Sequence, residues 1–175
     1  MAKRRMDTKL PALFIGRFQP IHKGHLFMIH RILEEVSQLI IGIGSAQYSH
    51  TPRNPFTSGE RYVMIKRALE SDGVHSFDIV PIEDVGKHSI WVPFVESILP
   101  RFGLVFSNDL LTVRLFREKG YEVRELPLYK RESFSGTKIR SRIASGKRWK
   151  HLVPKVVADY IIEIDGVQRI REIES

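Results

Sequence analysis

Short apolar runs alternate with helical patterns along most of this chain. Continuous apolar runs at 10–15 and 39–44 predict strands that are buried on both faces. Between them, apolar side chains recur at helical spacing, at Leu26, Ile29, Ile32, Leu33 and Val36. A strand, a helix and a second strand within about 35 residues form a βαβ unit with a right-handed crossover. The start of the chain therefore predicts a parallel sheet.

Three further strands continue this alternation, at 77–82, 104–107 and 121–126. The last of these runs alternates between apolar and polar residues, which favours a place toward the edge of the sheet. A Thr57–Glu60 capping box and the dipeptide 108–109 mark the starts of two of the intervening helices. Five strands alternating with helices predict an α/β fold with a Rossmann-like, doubly wound parallel sheet.

The last third of the chain is predicted to be helical. Ser135 and Thr137 are good N-cap residues, and Pro154 suits a helix start. The dipeptide at 165–166 is expected to end that helix. We assign the short, charged tail at 167–173 to packing or subunit contact.

Composition limits the class of protein. The 175 residues are 42% hydrophobic and 27% charged, as in a folded globular domain. No apolar run approaches the roughly 20 residues of a membrane helix, and the basic start lacks the apolar segment of a signal peptide. The absence of cysteine excludes disulfides and a thiol nucleophile. We expect a cytoplasmic protein without membrane contact, with one domain over 10–175 behind a basic extension at 1–9.

The formal net charge of +8 admits nucleic acid, an anionic membrane or a small polyanion as partner. Basic residues cluster at 3–9 and at 130–150. No RNA-binding aromatic motif or zinc-finger spacing accompanies them. The first cluster is interpreted as a solvated face, and the second overlaps a motif described below. A small polyanion, and no nucleic acid, is therefore the expected partner.

The segment GRFQPIHKGH at 16–25 joins the first predicted strand to the first predicted helix. A helix start offers free backbone N–H groups and a partial positive charge, which favour anions. Gly16 and Gly24 allow close approach of backbone and ligand. Three side chains add donors suited to phosphate oxygens: Arg17, His22 and His25. The segment predicts a phosphate site.

Two other interpretations of the histidines stay open. A histidine near a helix start is often a capping or packed residue. His22 and His25 also have a spacing that suits zinc, but cysteine is absent and Glu34 and Glu35 lie more than two turns downstream, so the ligand set is incomplete. We therefore assign no metal ligands. The motif is neither a Walker loop nor Gly-x-Gly-x-x-Gly.

A second anion site is predicted at 131–140, RESFSGTKIR. Ser135 and Thr137 suit a helix start, yet Lys138 and Arg140 place positive charge in its first turn, against the helix dipole. A bound anion offsets this conflict. The two cationic helix starts follow the first and fifth predicted strands, and both can face the carboxyl edge of the sheet. A nucleoside triphosphate would bridge them.

The pair GRFQPIHKGH at 16–25 and SGTKIR at 135–140 resembles the signature of the nucleotidyltransferase superfamily with His-x-Gly-His. Three further segments resemble the archaeal-type nicotinamide-nucleotide adenylyltransferases: IGSAQ with SH at 43–50, NPFT with GER at 54–61, and EIDGV at 163–167. The resemblance covers the chain from residue 10 onward. One departure is Ser107-Asn108-Asp109, where a Gly-Asn-Pro-like turn is expected.

The resemblance implies that NMN and ATP, with Mg²⁺, give NAD and pyrophosphate by in-line attack and without a covalent intermediate. It implies catalytic roles for His22, His25, Arg17 and Arg140. It implies ATP-binding roles for Gly16, Phe18, Gly24, Arg53, Asn108, Ser135 and Thr137. It implies an NMN pocket at Trp91, which would stack on the nicotinamide ring, and Asp84. A homo-oligomer, often a hexamer, is also implied.

Other functions stay open at this point. The shared motifs grip the nucleotide and not the acceptor, so nicotinic acid mononucleotide, FMN, phosphopantetheine or a polyol phosphate are alternative acceptors. A nucleotide or nucleic-acid binder without catalysis is the alternative from a different class.

Overall fold

The fold is described from a computed structural model, which covers residues 10–127, 130 and 132–174. The predicted extension at 1–9 lies outside the described residues. The strands are β1 (Ala12–Gly16), β2 (Leu39–Ile43), β3 (Phe77–Pro81), β4 (Leu104–Phe106) and β5 (Glu122–Arg124). They form one sheet in the order β3-β2-β1-β4-β5, and every neighbouring pair is parallel. This confirms the predicted Rossmann-like sheet.

Helices connect and follow these strands. They are α1 (Lys23–Leu33), α2 (Ser58–Ser71), α3 (His88–Ile98), α4 (Leu110–Glu118), α5 (Gly136–Ala144), α6 (Lys155–Glu163) and α7 (Gly166–Glu174). A short 3₁₀ helix at Lys150–Leu152 precedes α6. Among the described residues, no helix is long and apolar enough to cross a membrane.

The helices cover both faces of the sheet. Apolar residues of α1, α2, α5, α6 and α7 form one buried cluster, and those of α3 and α4 form the other. β2 is buried along its whole length, as its uninterrupted apolar run predicts. The strand order reverses between β1 and β4, and in such sheets ligands bind outside the carboxyl ends of the strands at that point. The fold thus places a crevice directly after β1.

The two edge strands of the sheet are those whose sequences favour an edge position. Pro81 is the last residue of β3, an edge strand, where its missing N–H breaks no ladder bond. β5 is the opposite edge, as its alternation predicts, although it is shorter than the predicted strand at 121–126.

Helix boundaries differ from prediction where side chains cap them. α1 begins at Lys23 and not at Leu26, because His22 caps it. Ser135 caps α5, its Oγ accepting from the Lys138 N–H at 3.2 Å. The prediction of Thr137 as an N-cap is wrong, since Thr137 lies inside the first turn and its hydroxyl accepts from Arg140.

The predicted tail at 167–173 is part of α7, which packs within the molecule. Ile170 is buried in the larger apolar cluster. Gly166 begins the helix so close to Phe56 that a Cβ atom there would lie 2.8 Å from the ring and 3.0 Å from the Ile161 carbonyl oxygen. The C-terminal helix therefore packs against the segment that precedes α2.

Two glycines in first helical turns provide a matched test of this packing. Gly166→Ala is expected to lower the free energy of unfolding by about 1–3 kcal/mol, because the added methyl overpacks a filled site. Gly59→Ala in α2 meets nothing closer than 3.9 Å and is expected to raise it by about 0.5–1 kcal/mol. Urea unfolding measures both changes. Equal effects of the two substitutions would contradict the described contact of Gly166.

Candidate active site

A cavity of about 290 Å³ opens at the carboxyl end of β1, between the starts of α1 and α5. Both sequence motifs contribute to it, which confirms that the two cationic helix starts meet. Its lining consists of Arg17, Phe18, Gln19, His22, Gly24, His25, Met28, Phe134, Ser135, Gly136, Thr137 and Arg140.

The two histidines cap α1 reciprocally. The His25 N–H donates to Nδ1 of His22 at 3.3 Å, and the His22 N–H donates to Nδ1 of His25 at 3.2 Å. The rings stack with centroids 3.6 Å apart. An Nδ1 that accepts carries no proton, so each neutral ring bears its proton on Nε2. The capping interpretation is correct, and it leaves both Nε2–H groups as donors.

The histidines are neutral at physiological pH. Burial lowers the pKa of His22 to about 4. Burial lowers the pKa of His25 well below its usual value, and proximity to His22 lowers it further. The site therefore offers two uncharged N–H donors beside the free amides of a helix start.

Arg17 supplies the strongest sign of a ligand. Its Nη1 is buried and, within the described part of the chain, has no hydrogen-bond partner. Burial lowers the pKa of Arg17, and repulsion from Arg53 adds to this, while Asp109 and Asp84 oppose it. A buried guanidinium nitrogen without an acceptor is costly. An anion in the cavity would satisfy it.

Arg140 is buried and ties three segments together. Nε donates to the Pro52 carbonyl at 3.0 Å, Nη1 to the Gln19 carbonyl at 2.9 Å, and Nη2 to the Thr137 hydroxyl at 3.3 Å. Burial lowers its pKa to about 10, and Arg17 contributes to that shift. Arg140 therefore forms a positively charged wall of the cavity and fixes its shape.

Arg61, to which the sequence assigns no role, is fully buried in the structure. Nη1 donates to the carbonyls of Arg17 and Gly44, each at 2.8 Å, and Nη2 donates to that of Ser45 at 3.1 Å. Burial lowers its pKa to about 10. Arg61 thus holds the ends of β1 and β2 together. Its position in the first turn of α2, against the dipole, is the same signal that marked Arg140.

Three residues predicted to bind ATP pack beneath the donors. Phe18 is buried, with its ring 5.8 Å from that of Phe14 and 4.8 Å from that of His25. A Cβ on Gly16 would lie 3.0 Å from the Phe18 ring, and one on Gly24 would lie 3.0 Å from Nδ1 of His22. These glycines permit the close packing that orients the histidines.

The remaining predicted residues do not line the cavity. Asn108 exchanges two hydrogen bonds with the Leu126 backbone, at 2.7 and 2.9 Å, and so joins the segments that follow β4 and β5. The Asp84 carboxylate accepts from the Ser45 hydroxyl at 2.8 Å. Arg53 is exposed near the cavity, close enough to Arg17 and Arg140 to lower the pKa of both.

Trp91 combines a packing role with a free donor. Its ring meets that of Phe116 edge-on, with centroids 5.7 Å apart, in the apolar cluster of α3 and α4. Its Nε1 is buried without a hydrogen bond among the described residues. A buried indole N–H usually has a partner, so this donor also suits a ligand. No group of three or more His, Cys, Asp or Glu side chains in the described ranges could hold a metal ion.

The chain matches known proteins over most of its length. The model of the cytidylyltransferase-like family matches residues 13–142. Nicotinamide-nucleotide adenylyltransferases of Thermoplasma acidophilum and Methanosarcina acetivorans are 52% and 54% identical over 164 residues, which is 94% of this chain and 92% and 94% of theirs. The enzyme of that name from Pyrococcus furiosus is 49% identical over 91% of this chain and 86% of its own.

A solved structure has the same fold. It is a bifunctional NMN adenylyltransferase/ADP ribose pyrophosphatase from Francisella tularensis, complexed with AMP and a manganese ion. It matches with a TM-score of 0.75 and 25% identity over 94% of this chain, which spans about half (52%) of the solved chain. Together with the family match and the archaeal relatives, this shows that the chain belongs to the cytidylyltransferase-like family, in its group of archaeal nicotinamide-nucleotide adenylyltransferases.

Proposed function

We propose that this protein transfers the adenylyl group of ATP to the 5′-phosphate of NMN, giving NAD and pyrophosphate. The observation that carries the proposal is the meeting of two cationic helix starts in one cavity, where Arg17 presents a buried N–H that has no acceptor among the described residues. The relatives of about half-identical sequence carry the name of this activity.

The reaction needs positioning and charge stabilisation and no protein nucleophile. A 5′-phosphate oxygen of NMN forms a bond to the α-phosphorus of ATP, and the bond from that phosphorus to the bridging oxygen breaks, so pyrophosphate leaves with the electron pair. The Nε2–H groups of His22 and His25 would donate to phosphoryl oxygens on which charge develops. Arg17 would clamp the polyphosphate. Neutral donors at a helix start suit this role because they hold an anionic product less tightly than charged donors would.

The start of α5 is proposed to hold the leaving pyrophosphate. Ser135 and Thr137 offer hydroxyl and first-turn amide groups on the cavity wall. Arg140 would add charge there, since its three observed bonds leave part of its five-donor guanidinium free. Arg53 is proposed as a further phosphate contact from the exposed side.

The acceptor is proposed to bind beside Trp91, with Asp84 nearby. The flat ring of Trp91 suits an aromatic ligand, and its Nε1, which has no partner in the described part of the chain, suits a hydrogen-bond acceptor on that ligand. Asn108 is proposed to lie near adenosine through the backbone of its turn, because its side-chain amide is engaged by Leu126. Gly16, Phe18 and Gly24 would act mainly by orienting the phosphate donors.

Magnesium is proposed to enter with ATP, as the MgATP substrate. The Francisella structure holds manganese with AMP, so a divalent ion accompanies the nucleotide there. We further propose that the protein is a cytoplasmic homo-oligomer, a hexamer, and that it has no nucleic-acid partner. These proposals rest on the family resemblance.

The first test is a product assay with MgATP and four acceptors: NMN, nicotinic acid mononucleotide, FMN and phosphopantetheine. We expect NAD and stoichiometric pyrophosphate with NMN, detected by chromatography. Turnover with FMN or phosphopantetheine alone would keep the reaction class and overturn the acceptor. No turnover with any acceptor would favour a binding protein.

His25 gives a test of the donor role. His25→Ala and His25→Asn are both expected to lower kcat by about 10²–10³-fold, with a smaller change in the KM for ATP, because the donor acts on developing charge. Asn retains an acceptor for the His22 N–H, so it separates loss of the cap from loss of Nε2–H. His30→Asn, on the exposed end of α1, is the control. Equal losses in kcat and ATP affinity would make His25 a simple binding residue.

Acid sensitivity follows from the buried neutral imidazoles. The unfolded chain takes up a proton on His22 near pH 6.5, while burial lowers the folded pKa to about 4. Stability from this residue is therefore present above pH 6.5 and lost as the pH falls toward 4, by about 2–3 kcal/mol at pH 4.5. Urea unfolding at pH 7.5 and 4.5 measures it. His22→Asn keeps an N-cap and should show a smaller loss; an equal loss would refute the assignment.

A further inference from the structure

Arg53 lies on the loop at 45–57 that joins β2 to α2, among charges of its own sign. Its side chain is exposed and has no hydrogen bond within the described ranges. Its guanidinium is close enough to Arg17 and Arg140 to repel both. Repulsion between like charges disfavours this arrangement. A loop backbone fixed by its neighbours would keep Arg53 beside the site despite the repulsion.

Two guanidinium groups hold the backbone on the two sides of Arg53. Nε of Arg140 donates to the Pro52 carbonyl at 3.0 Å, and Nη1 of Arg169 donates to the Pro55 carbonyl at 3.2 Å. The next residue, Phe56, exchanges two bonds with the side chain of Gln19, each at 3.0 Å. The loop is thus fixed directly before and shortly after Arg53, while the Arg53 side chain stays free to reach a ligand.

Arg169 is itself held by a fork of two bonds. Its Nη1 and Nη2 donate to the two carboxylate oxygens of Glu60, at 2.7 and 2.8 Å. Glu60 also accepts from the Thr57 N–H at 2.9 Å and so caps α2. The side chains of the pair are only 20% and 17% exposed. A bidentate, partly buried pair has a defined geometry, unlike an exposed pair.

We propose that Arg169, paired with Glu60, is a positioning residue that places Arg53 at the phosphate site. Arg169 lies on α7 and does not line the cavity, so it acts through the Pro55 carbonyl and the loop backbone. The C-terminal helix thereby contributes to ATP binding without touching ATP. This inference rests on the proposed function of Arg53 as a phosphate contact.

A double-mutant cycle tests the proposal. The variants are Arg169→Lys, Arg53→Ala and the combination; lysine keeps the charge and loses the fork. We expect Arg53→Ala to raise the KM for ATP by about tenfold and Arg169→Lys to raise it severalfold, with the KM for NMN unchanged. In the Arg53→Ala background, Arg169→Lys should add no further change, because the two residues act in series.

Arg67→Lys is the matched control. Arg67 also pairs with a glutamate of another helix, Glu163, at 3.0 Å, but the pair is exposed, and within the described ranges Arg67 donates to no carbonyl of the loop. We expect unchanged kinetics there. If Arg169→Lys fails to fold, as its melting temperature would show, Glu60→Gln replaces it, since glutamine retains an acceptor for the Thr57 N–H.

The outcomes separate the inference from the proposed function. The positioning role would be overturned if the KM for ATP of the double variant rose by the product of the two single-variant changes. An unchanged KM in Arg169→Lys would also overturn it. ATP affinity is measured in parallel by calorimetry, which does not require turnover. A wild type that forms no NAD while the cycle for ATP binding is non-additive would refute the proposed reaction and leave the role of Arg169 standing.

Discussion

Positive charge buried without a carboxylate partner is the constraint on which the rest of this structure depends. Arg61 and Arg140 are both buried, and the described residues offer them only carbonyl and hydroxyl oxygens. Such charge is unfavourable in a protein interior unless it is paired or hydrogen-bonded. The backbone carbonyls at the ends of β1 and β2 satisfy it partly, and Arg17 adds a third guanidinium above them. These three guanidinium groups therefore favour an anion in the cavity.

Preorganisation of this kind explains how a site without a nucleophile can be catalytic. Each histidine ring is held in one orientation by the bond between its Nδ1 and the other residue's amide. Arg140 is held by bonds to Gln19 and Pro52, so the start of α5 keeps a fixed distance from the loop after β1. Donors fixed in advance need no reorganisation when charge develops.

Local patterns in the sequence were sufficient to predict the parts of the molecule with local causes. The apolar runs predicted the sheet, and the meeting of the motifs at 16–25 and 135–140 followed from the rule that parallel strands share a carboxyl edge. The capping box of Thr57 and Glu60 could also be predicted, because its two partners are only three residues apart in the sequence.

Contacts between distant segments left no comparable pattern. The acceptors of Arg61 lie in loops up to 44 positions away, and Glu60 lies 109 positions from Arg169. The bonds between the Asn108 amide and the Leu126 backbone, 18 positions apart, likewise left no sign in the sequence. The sequence of α7 did not indicate which segments this helix would pack against.

Gly24 gives the spacing of the histidine motif a geometric meaning. It occupies the second position of α1, between the two members of the reciprocal cap, and a side chain there would strike Nδ1 of His22 at 3.0 Å and Cβ of Phe134 at 2.8 Å. The stacking of the two histidine rings therefore requires glycine at the third position of His-x-Gly-His. Within these four residues, each backbone N–H fixes the tautomer of the other residue's ring, and Phe18 packs against the ring of His25. The spacing of the motif is thus set by the geometry of four consecutive residues at one helix start.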